Sequence, residues 1–220
     1  MRKLQLFFML FVSLLINAQI TESFIDGEFN SNPEWMGMTQ NFKVNAAFNL
    51  QSNALTTSQS YLVTSSESFD NAVWECWAKI NYNPSSSNYA VVYIVADKQD
   101  ILNSCNGYFV KIGDTQDDIS LWVQEGTKKT KIIDGTDKRT DRSLVELKVK
   151  VTRDASGNFK LYSKLATETD YYLEGATQNN AIKKSTYFGL GFSNSSLTGS
   201  AYYFDDIQVT GQKAVDSEPP

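Results

Sequence analysis

Between Phe24 and Thr210 the chain is a succession of short runs in which apolar and polar residues alternate, each ended by a cluster of Gly, Asn, Asp or Ser. Alternation of period two puts successive side chains on opposite faces of a strand. Turn clusters at intervals of roughly ten residues mark an all-β sandwich or barrel. No window carries apolar residues at helical spacing. The expected strands are 24–29, 42–45, 60–64, 73–82, 89–97, 108–113, 119–125, 128–134, 144–153, 159–164, 171–175, 187–193 and 202–210, with a short helical turn at 97–103.

Parity sorts the faces. Val145, Leu147, Val149 and Val151 point one way, and Glu146, Lys148 and Lys150 the other. By the same rule Trp74, Cys76, Ala78, Ile80, Tyr108, Val110, Ile112, Ile119, Leu121, Val123, Phe159 and Leu161 are core. The closing run Tyr202–Thr210 breaks the rule: Tyr202, Phe204 and Ile207 cannot share a face without an extra residue. Asp205-Asp206 is therefore expected at a bulge, or one apolar residue faces outward.

The first 18 residues read as a signal peptide. Arg2 and Lys3 precede an apolar stretch from Leu4 to Ile16, and Ala18 offers a cleavage site. The run is short of the roughly 20 apolar residues that a membrane span needs. Residues 19–211 then form the β-domain, and 212–220, ending Asp216-Ser-Glu-Pro-Pro220, read as a linker or tail.

The formal net charge is −5, and −7 without Arg2 and Lys3, since 18 basic residues then face 25 acidic ones. An acidic chain with no basic stripe is a poor nucleic-acid binder. Histidine is absent, which removes Ser-His-Asp and Cys-His nucleophiles, His-ligated zinc and imidazole acid–base chemistry. No carboxylate pair stands at glycosidase spacing: Glu146 has lysines as its same-face neighbours. Catalysis is not expected. Cys76 and Cys105 could pair in an oxidising compartment or remain buried thiols.

Two constellations could bind something. The outward residues Trp77, Phe109, Lys111, Trp122, Gln124 and Tyr162 would make an aromatic and polar platform for sugar rings if their strands were neighbours; otherwise loops cover them and extend the core. The acids Asp26 and Glu28 near the start, with Asp205 and Asp206 near the end, could hold a structural calcium if the first and last strands meet. Otherwise they cap turns.

Several segments together resemble one family. They are Trp35 after Phe24-Ile-Asp-Gly-Glu-Phe29, Asn83-Pro-Ser-Ser-Ser-Asn-Tyr-Ala-Val-Val-Tyr-Ile-Val95, Asn106-Gly-Tyr-Phe-Val-Lys-Ile-Gly113, Val151-Thr-Arg-Asp154, Tyr187-Phe-Gly189 and Tyr203-Phe-Asp-Asp-Ile207. In this order they resemble the N-terminal concanavalin A-like, or laminin-G-like, jelly-roll module of large secreted bacterial surface proteins. The resemblance spans most of residues 21–211. It implies a two-sheet antiparallel jelly roll, secretion or cell-surface display, a non-catalytic role in carbohydrate binding or adhesion, and further domains downstream. The alternatives are a spacer domain of a larger secreted protein with no ligand of its own and, third, a glycoside hydrolase or lyase of the same fold. Related carbohydrate modules hold calcium, and Asp205 or Asp206 with Glu28 are the matching positions. Cys76 and Cys105 fall outside the pattern.

Overall fold

A computed structural model describes residues 17–195 and 199–214. Most of the expected signal peptide and the end of the expected linker lie outside the described residues. Fifteen strands are present: β1 Asn17–Glu22, β2 Met36–Gly37, β3 Phe42–Val44, β4 Leu50–Ser52, β5 Ser58–Ser65, β6 Ser68–Ile80, β7 Tyr89–Ala96, β8 Cys105–Ile112, β9 Ile119–Gly126, β10 Lys128–Ile133, β11 Val145–Arg153, β12 Asn158–Leu165, β13 Tyr172–Gln178, β14 Tyr187–Asn194 and β15 Tyr202–Lys213.

They form two antiparallel sheets. One has eight strands, in the order β13-β12-β11-β6-β15-β4-β3, with β1 also paired to β15. The other has seven, in the order β10-β9-β8-β7-β14-β5-β2. The main core lies between them, and the inward residues assigned by parity on β6, β8, β9, β11 and β12 are all in it. The molecule is a two-sheet antiparallel β-sandwich of the jelly-roll class.

β15 carries the expected bulge. Asp205 pairs with Trp77 but Gln208 with Glu75, so three steps on β15 match two on β6. Asp206 takes the extra place at φ +46°. Tyr202, Phe204, Ile207 and Val209 are thereby all fully buried. The bulge also marks a change of neighbour: β4 pairs with Tyr203 and Phe204, and β1 takes over from Ile207 to Gln212. β15 runs on to Lys213, past the expected end of the domain at residue 211.

Two expectations at the ends of strands need correction. The opening and closing strands do meet, but through Asn17–Glu22 and not through 24–29. Phe24 sits at φ +49° and its carbonyl accepts from the Gly27 amide at 3.0 Å, so the chain turns there. Glu22 ends the strand. Its buried carboxylate accepts from the amides of Ser23 (2.8 Å) and Phe24 (2.7 Å) and from Trp35 Nε1 (3.4 Å). Burial raises its pKa above 4.5. Cleavage after Ala18 would remove the first two residues of β1. Nor is there a helical turn at 97–103: Asp100 Oδ1 accepts from the amides of Leu102 (3.1 Å) and Asn103 (3.3 Å), a local alternative to helix.

One side of the sandwich is closed by an arginine. In the loop after β10, Arg139 grips Glu168 with both Nη atoms (2.6 and 2.9 Å), and donates to Glu174 through Nε (3.0 Å) and to Ser163 Oγ (2.7 Å). Glu174 also accepts from Thr136 N at 2.9 Å. β13 therefore lies close against β10: a Cβ on Gly175 would come within 2.6 Å of Ile133. Bidentate pairing of this kind is strong, and removing one partner leaves a buried charge exposed to its desolvation cost.

Two outcomes follow. Burial of Ile207 and Val209 is worth roughly 1.5–3 kcal/mol each, a large part of a typical stability of about 5–15 kcal/mol. Deleting Asp206 turns one half of β15 over, so circular dichroism melts should lose their cooperative transition. Asp206→Gly relieves the positive φ and loses only the exposed pair with Lys148 (2.8 Å), so it should change stability by less than about 1 kcal/mol. The Arg139 grip acts on pH dependence through Glu168, whose pKa it holds below 4.5. The unfolded chain then binds that proton first, so this stabilisation is present above pH 4.5 and is lost as pH falls through the lower, folded value. Arg139→Met should cost about 3 kcal/mol at neutral pH and flatten the acid limb of the melting profile.

Candidate functional site

The outer face of the seven-stranded sheet carries a second apolar layer. Val63, Val91, Tyr93, Ala96, Ile101, Cys105 and Phe109 are buried there, away from the main core. Register aligns them in rows across the strands. One row runs Met36, Val63, Gly189, Tyr93, Phe109, Trp122, Lys131. The next runs Tyr61, Gly191, Val91, Lys111, Ser120, and a third Gln59, Ser193, Tyr89.

The aromatic row is a stack. Tyr93 and Phe109 rings lie 4.8 Å apart at 23°, and Phe109 and Trp122 lie 6.1 Å apart at 12°. The connection between β7 and β8 covers one end of it. Ile101 is fully buried, and Tyr93 Oη donates to Gln124 Oε1 (2.6 Å) and contacts Ile101 O (3.2 Å). Gln124 Nε2 donates to the carbonyls of Asn103 and Gly126, both at 2.9 Å. Gln124 therefore latches the loop to the sheet.

The other end stays open. Trp122, Tyr89 and Lys111 are half-buried around a cleft of about 80 Å³. Val91 lies in its floor, with Gln59, Ser193 and Lys129 at its rim. Gly191 leaves this row without a side chain, and a Cβ there would lie 2.8 Å from Ser60 O. Lys111 Nζ sits 4.1 Å from the Tyr89 ring centre, 5.8 Å from that of Trp122 and 3.2 Å from Asp114. Trp122 Nε1 donates to Ser120 Oγ (3.0 Å), and Gln59 Nε2 to Tyr89 Oη (3.1 Å), which fix both rings. The arrangement offers apolar ring faces beside amide, hydroxyl and ammonium groups.

The six residues expected to form one platform do not. Phe109, Lys111, Trp122 and Gln124 are on the seven-stranded sheet. Trp77 and Tyr162 are on β6 and β12, outside the other sheet. Parity assigns a face but not a sheet, so it could not separate them. Of the four that share a sheet, Phe109 is 3% exposed and Gln124 fully buried, with its amide engaged by the loop. Lys111 and Trp122 reach the open cleft. Tyr89, Gln59, Ser193 and Lys129 join them. The uniformly apolar run of β7 gives no parity to place Tyr89; the Gly-Leu-Gly of residues 189–191 was the sequence sign of a depression.

The four acids expected to share a cation do not converge. Among the described residues no group of three or more Asp, Glu, Cys or His side chains could hold a metal ion. Glu28 accepts from Asn30 N (2.6 Å) and Ser31 Oγ (2.5 Å) in its own turn, and Asp26 from Glu28 N (3.2 Å). Asp205 accepts from Asn49 Nδ2 (2.6 Å), and Asp206 pairs with Lys148. The physical reason is the turn at Phe24, which takes residues 26 and 28 out of the strand that meets β15. This donor set does not fit a shared calcium.

A larger cavity, about 570 Å³, lies on the eight-stranded sheet beside Trp77, with Glu75, Glu146, Glu168 and Asp206 around it. Three of these acids have partners: Tyr171 Oη on Glu75 (2.5 Å), Arg139 on Glu168 and Lys148 on Asp206. Arginine pairing lowers the pKa of Glu168, the opposite of what a general acid needs.

The fold is that of the concanavalin A-like jelly rolls. No protein-family profile matches the chain, and no curated protein does. Solved structures do. The carbohydrate-binding module CBM66 from Bacillus subtilis aligns with a TM-score of 0.56 at 15% identity, over 79% of this chain and 92% of that one. The exoplasmic/lumenal domain of VIP36, in a Ca2+/Man2-bound form, aligns at 0.63 and 11% identity over 91% and 90%. The carbohydrate recognition domain of Emp47p aligns at 0.59 and 10% identity over 90% and 95%. At these identities the likeness is one of fold.

Cys76 and Cys105 are both buried and unpaired, one in the main core and the other under the covering loop. Burial raises both thiol pKa values, that of Cys105 to about 11. A thiol reagent at pH 8 should find neither in the native protein and both after denaturation; a silent denatured sample would mean a disulfide.

Proposed function

We propose that this chain is a secreted, non-catalytic module that binds carbohydrate on the open half of the outer face of the seven-stranded sheet. The observation that carries it is the partly exposed Trp122, stacked on Phe109 and set beside Tyr89 and Lys111 around a cleft floored by Val91. A pyranose presents an apolar C–H face and a rim of hydroxyls. An indole ring with amide, hydroxyl and ammonium groups around it complements both. Support comes from the fold neighbours, which are a carbohydrate-binding module, a Ca2+/Man-bound domain and a carbohydrate recognition domain. The apolar leader at residues 4–16 supports export, and a place at the cell surface follows from the resemblance to surface-protein modules.

Calcium has no part in the proposed sugar contact. The VIP36 domain is similar to this chain in both a Ca2+/Man2-bound and a metal-free form. The fold therefore does not itself demand the ion. Asp26, Glu28, Asp205 and Asp206 are engaged by amides, the Ser31 hydroxyl and Lys148 instead. The spacer reading has one observation in its favour: the loop over Tyr93 and Gln124 seals half of the aromatic row.

A glycan array probed with residues 19–220, with and without calcium, tests the proposal. Binding is expected in both conditions. Trp122→Ala should weaken it by about thirtyfold, near 2 kcal/mol, while Trp77→Ala on the opposite sheet leaves it unchanged. No change with Trp122→Ala for any glycan bound would rule out this face.

A further inference from the structure

We propose that the sugar taken by this face is acidic, its carboxylate or sulfate group seated between the ammonium groups of Lys111 and Lys129. This rests on the carbohydrate-binding reading and goes one step beyond it, to the class of sugar. The chain carries 25 acidic residues against 20 basic ones, yet the charged residues lining the cleft are Lys111 and Lys129, and no Asp or Glu lines it among the described residues.

The three lysines around the Phe109–Trp122 stack differ in their partners. Lys131 is neutralised twice, by Asp118 at 2.9 Å and Asp134 at 2.6 Å. Lys111 has one carboxylate, Asp114, at 3.2 Å. Lys129 has no ion pair among the described residues; its Nζ stands 5.5 Å from the Phe109 ring centre. Two ammonium groups thus line one apolar cleft, and of the two only Lys111 has a carboxylate beside it.

The electrostatics point the same way. Lys129 is exposed as a residue, but local desolvation around its ammonium, with repulsion from Lys111, holds it below the ordinary lysine range. A cation in that condition gains from an incoming anion more than a solvated one does. The indole of Trp122 and the cleft over Val91 would take the ring. The anionic substituent would lie toward the edge strand β10, where Lys129 pairs in register with Gln124. A neutral sugar would leave Lys129 uncompensated.

Calorimetric titration of residues 19–220 tests this, with oligogalacturonate, a sulfated dextran oligomer, and neutral oligosaccharides of mannose, glucose and fructose as probes. At least one acidic probe should bind more tightly than every neutral one. Lys129→Gln should weaken it about tenfold or more, since it removes a charge-assisted contact from an exposed edge position that the fold does not need. Lys160→Gln, on the outer face of the other sheet, should leave it unchanged. Preference for galacturonate would assign a carboxylate ligand, and preference for the dextran a sulfate ester. A neutral sugar bound through Trp122 and indifferent to Lys129→Gln would overturn the acidic assignment and leave the sugar-binding face standing. Acidic binding indifferent to Lys129→Gln would overturn the assignment too. Failure of every probe to bind would overturn both.

Discussion

A strand can bury every second residue on one face, and no more, unless it gains a residue. β15 buries Tyr202, Phe204, Ile207 and Val209 on one side, a spacing of two, three and two. The extra residue is Asp206, held at φ +46°. Everything central to the eight-stranded sheet depends on it. β6 pairs along both halves of β15, while β4 and β1 lie end to end on the opposite edge and change over at the bulge. Asp205 and Asp206 serve that geometry. One accepts the Asn49 amide beside β4, and the other reaches Lys148 across β6. Their carboxylates are engaged in holding the kink, which explains why they are not turned toward a cation.

The seven-stranded sheet solves a different problem. Its outer face is too apolar to be left in water, and the connection between β7 and β8 covers only part of it. Tyr93, Phe109 and Cys105 go under the loop, whose own Ile101 is buried against them, and Gln124 bonds the loop backbone with its amide. Where the loop stops, the same aromatic row continues to Trp122 with no cover. The cleft is the boundary between the covered and open halves, so its position is set by the length and path of this one connection.

Legibility in the sequence followed solvent exposure. Where one face of a strand meets water, as on β6, β11 and β12, alternation separated core from outward side chains, and it left two outcomes open on β15, of which the bulge is the one found. Where both faces are covered, β7 reads as an unbroken apolar run from Tyr89 to Ala96 and parity says nothing. That silence was itself informative, since a run buried on both faces needs a second cover. Sheet membership was not legible at all. Trp77 and Trp122 look alike along the chain, but hydrogen-bonding between distant strands places them on opposite sides of the molecule. The opening strand was missed because Asn17–Glu22 overlaps the expected cleavage region, while Phe24–Phe29 keeps a strand-like composition and turns at Phe24.

The cleft alone does not argue for a ligand. Val91 lies in its floor, paired with Gly191, where a Cβ would lie 2.8 Å from the carbonyl of Ser60, and such demands of strand packing hold whatever binds there. What backbone packing does not demand is the choice of side chains around it. A solvent-facing rim on an acidic protein has no structural need for a half-exposed indole, or for a lysine without a carboxylate beside its aromatic neighbour. Each costs something in the unliganded molecule, through exposed apolar area or a partly desolvated charge. These groups sit on paired strands and not on the mobile part of a loop, so they are already in place before a ligand arrives, and little ordering entropy opposes binding. A rigid, half-covered face with one uncompensated cation is the part of this fold that the packing of the sandwich does not explain.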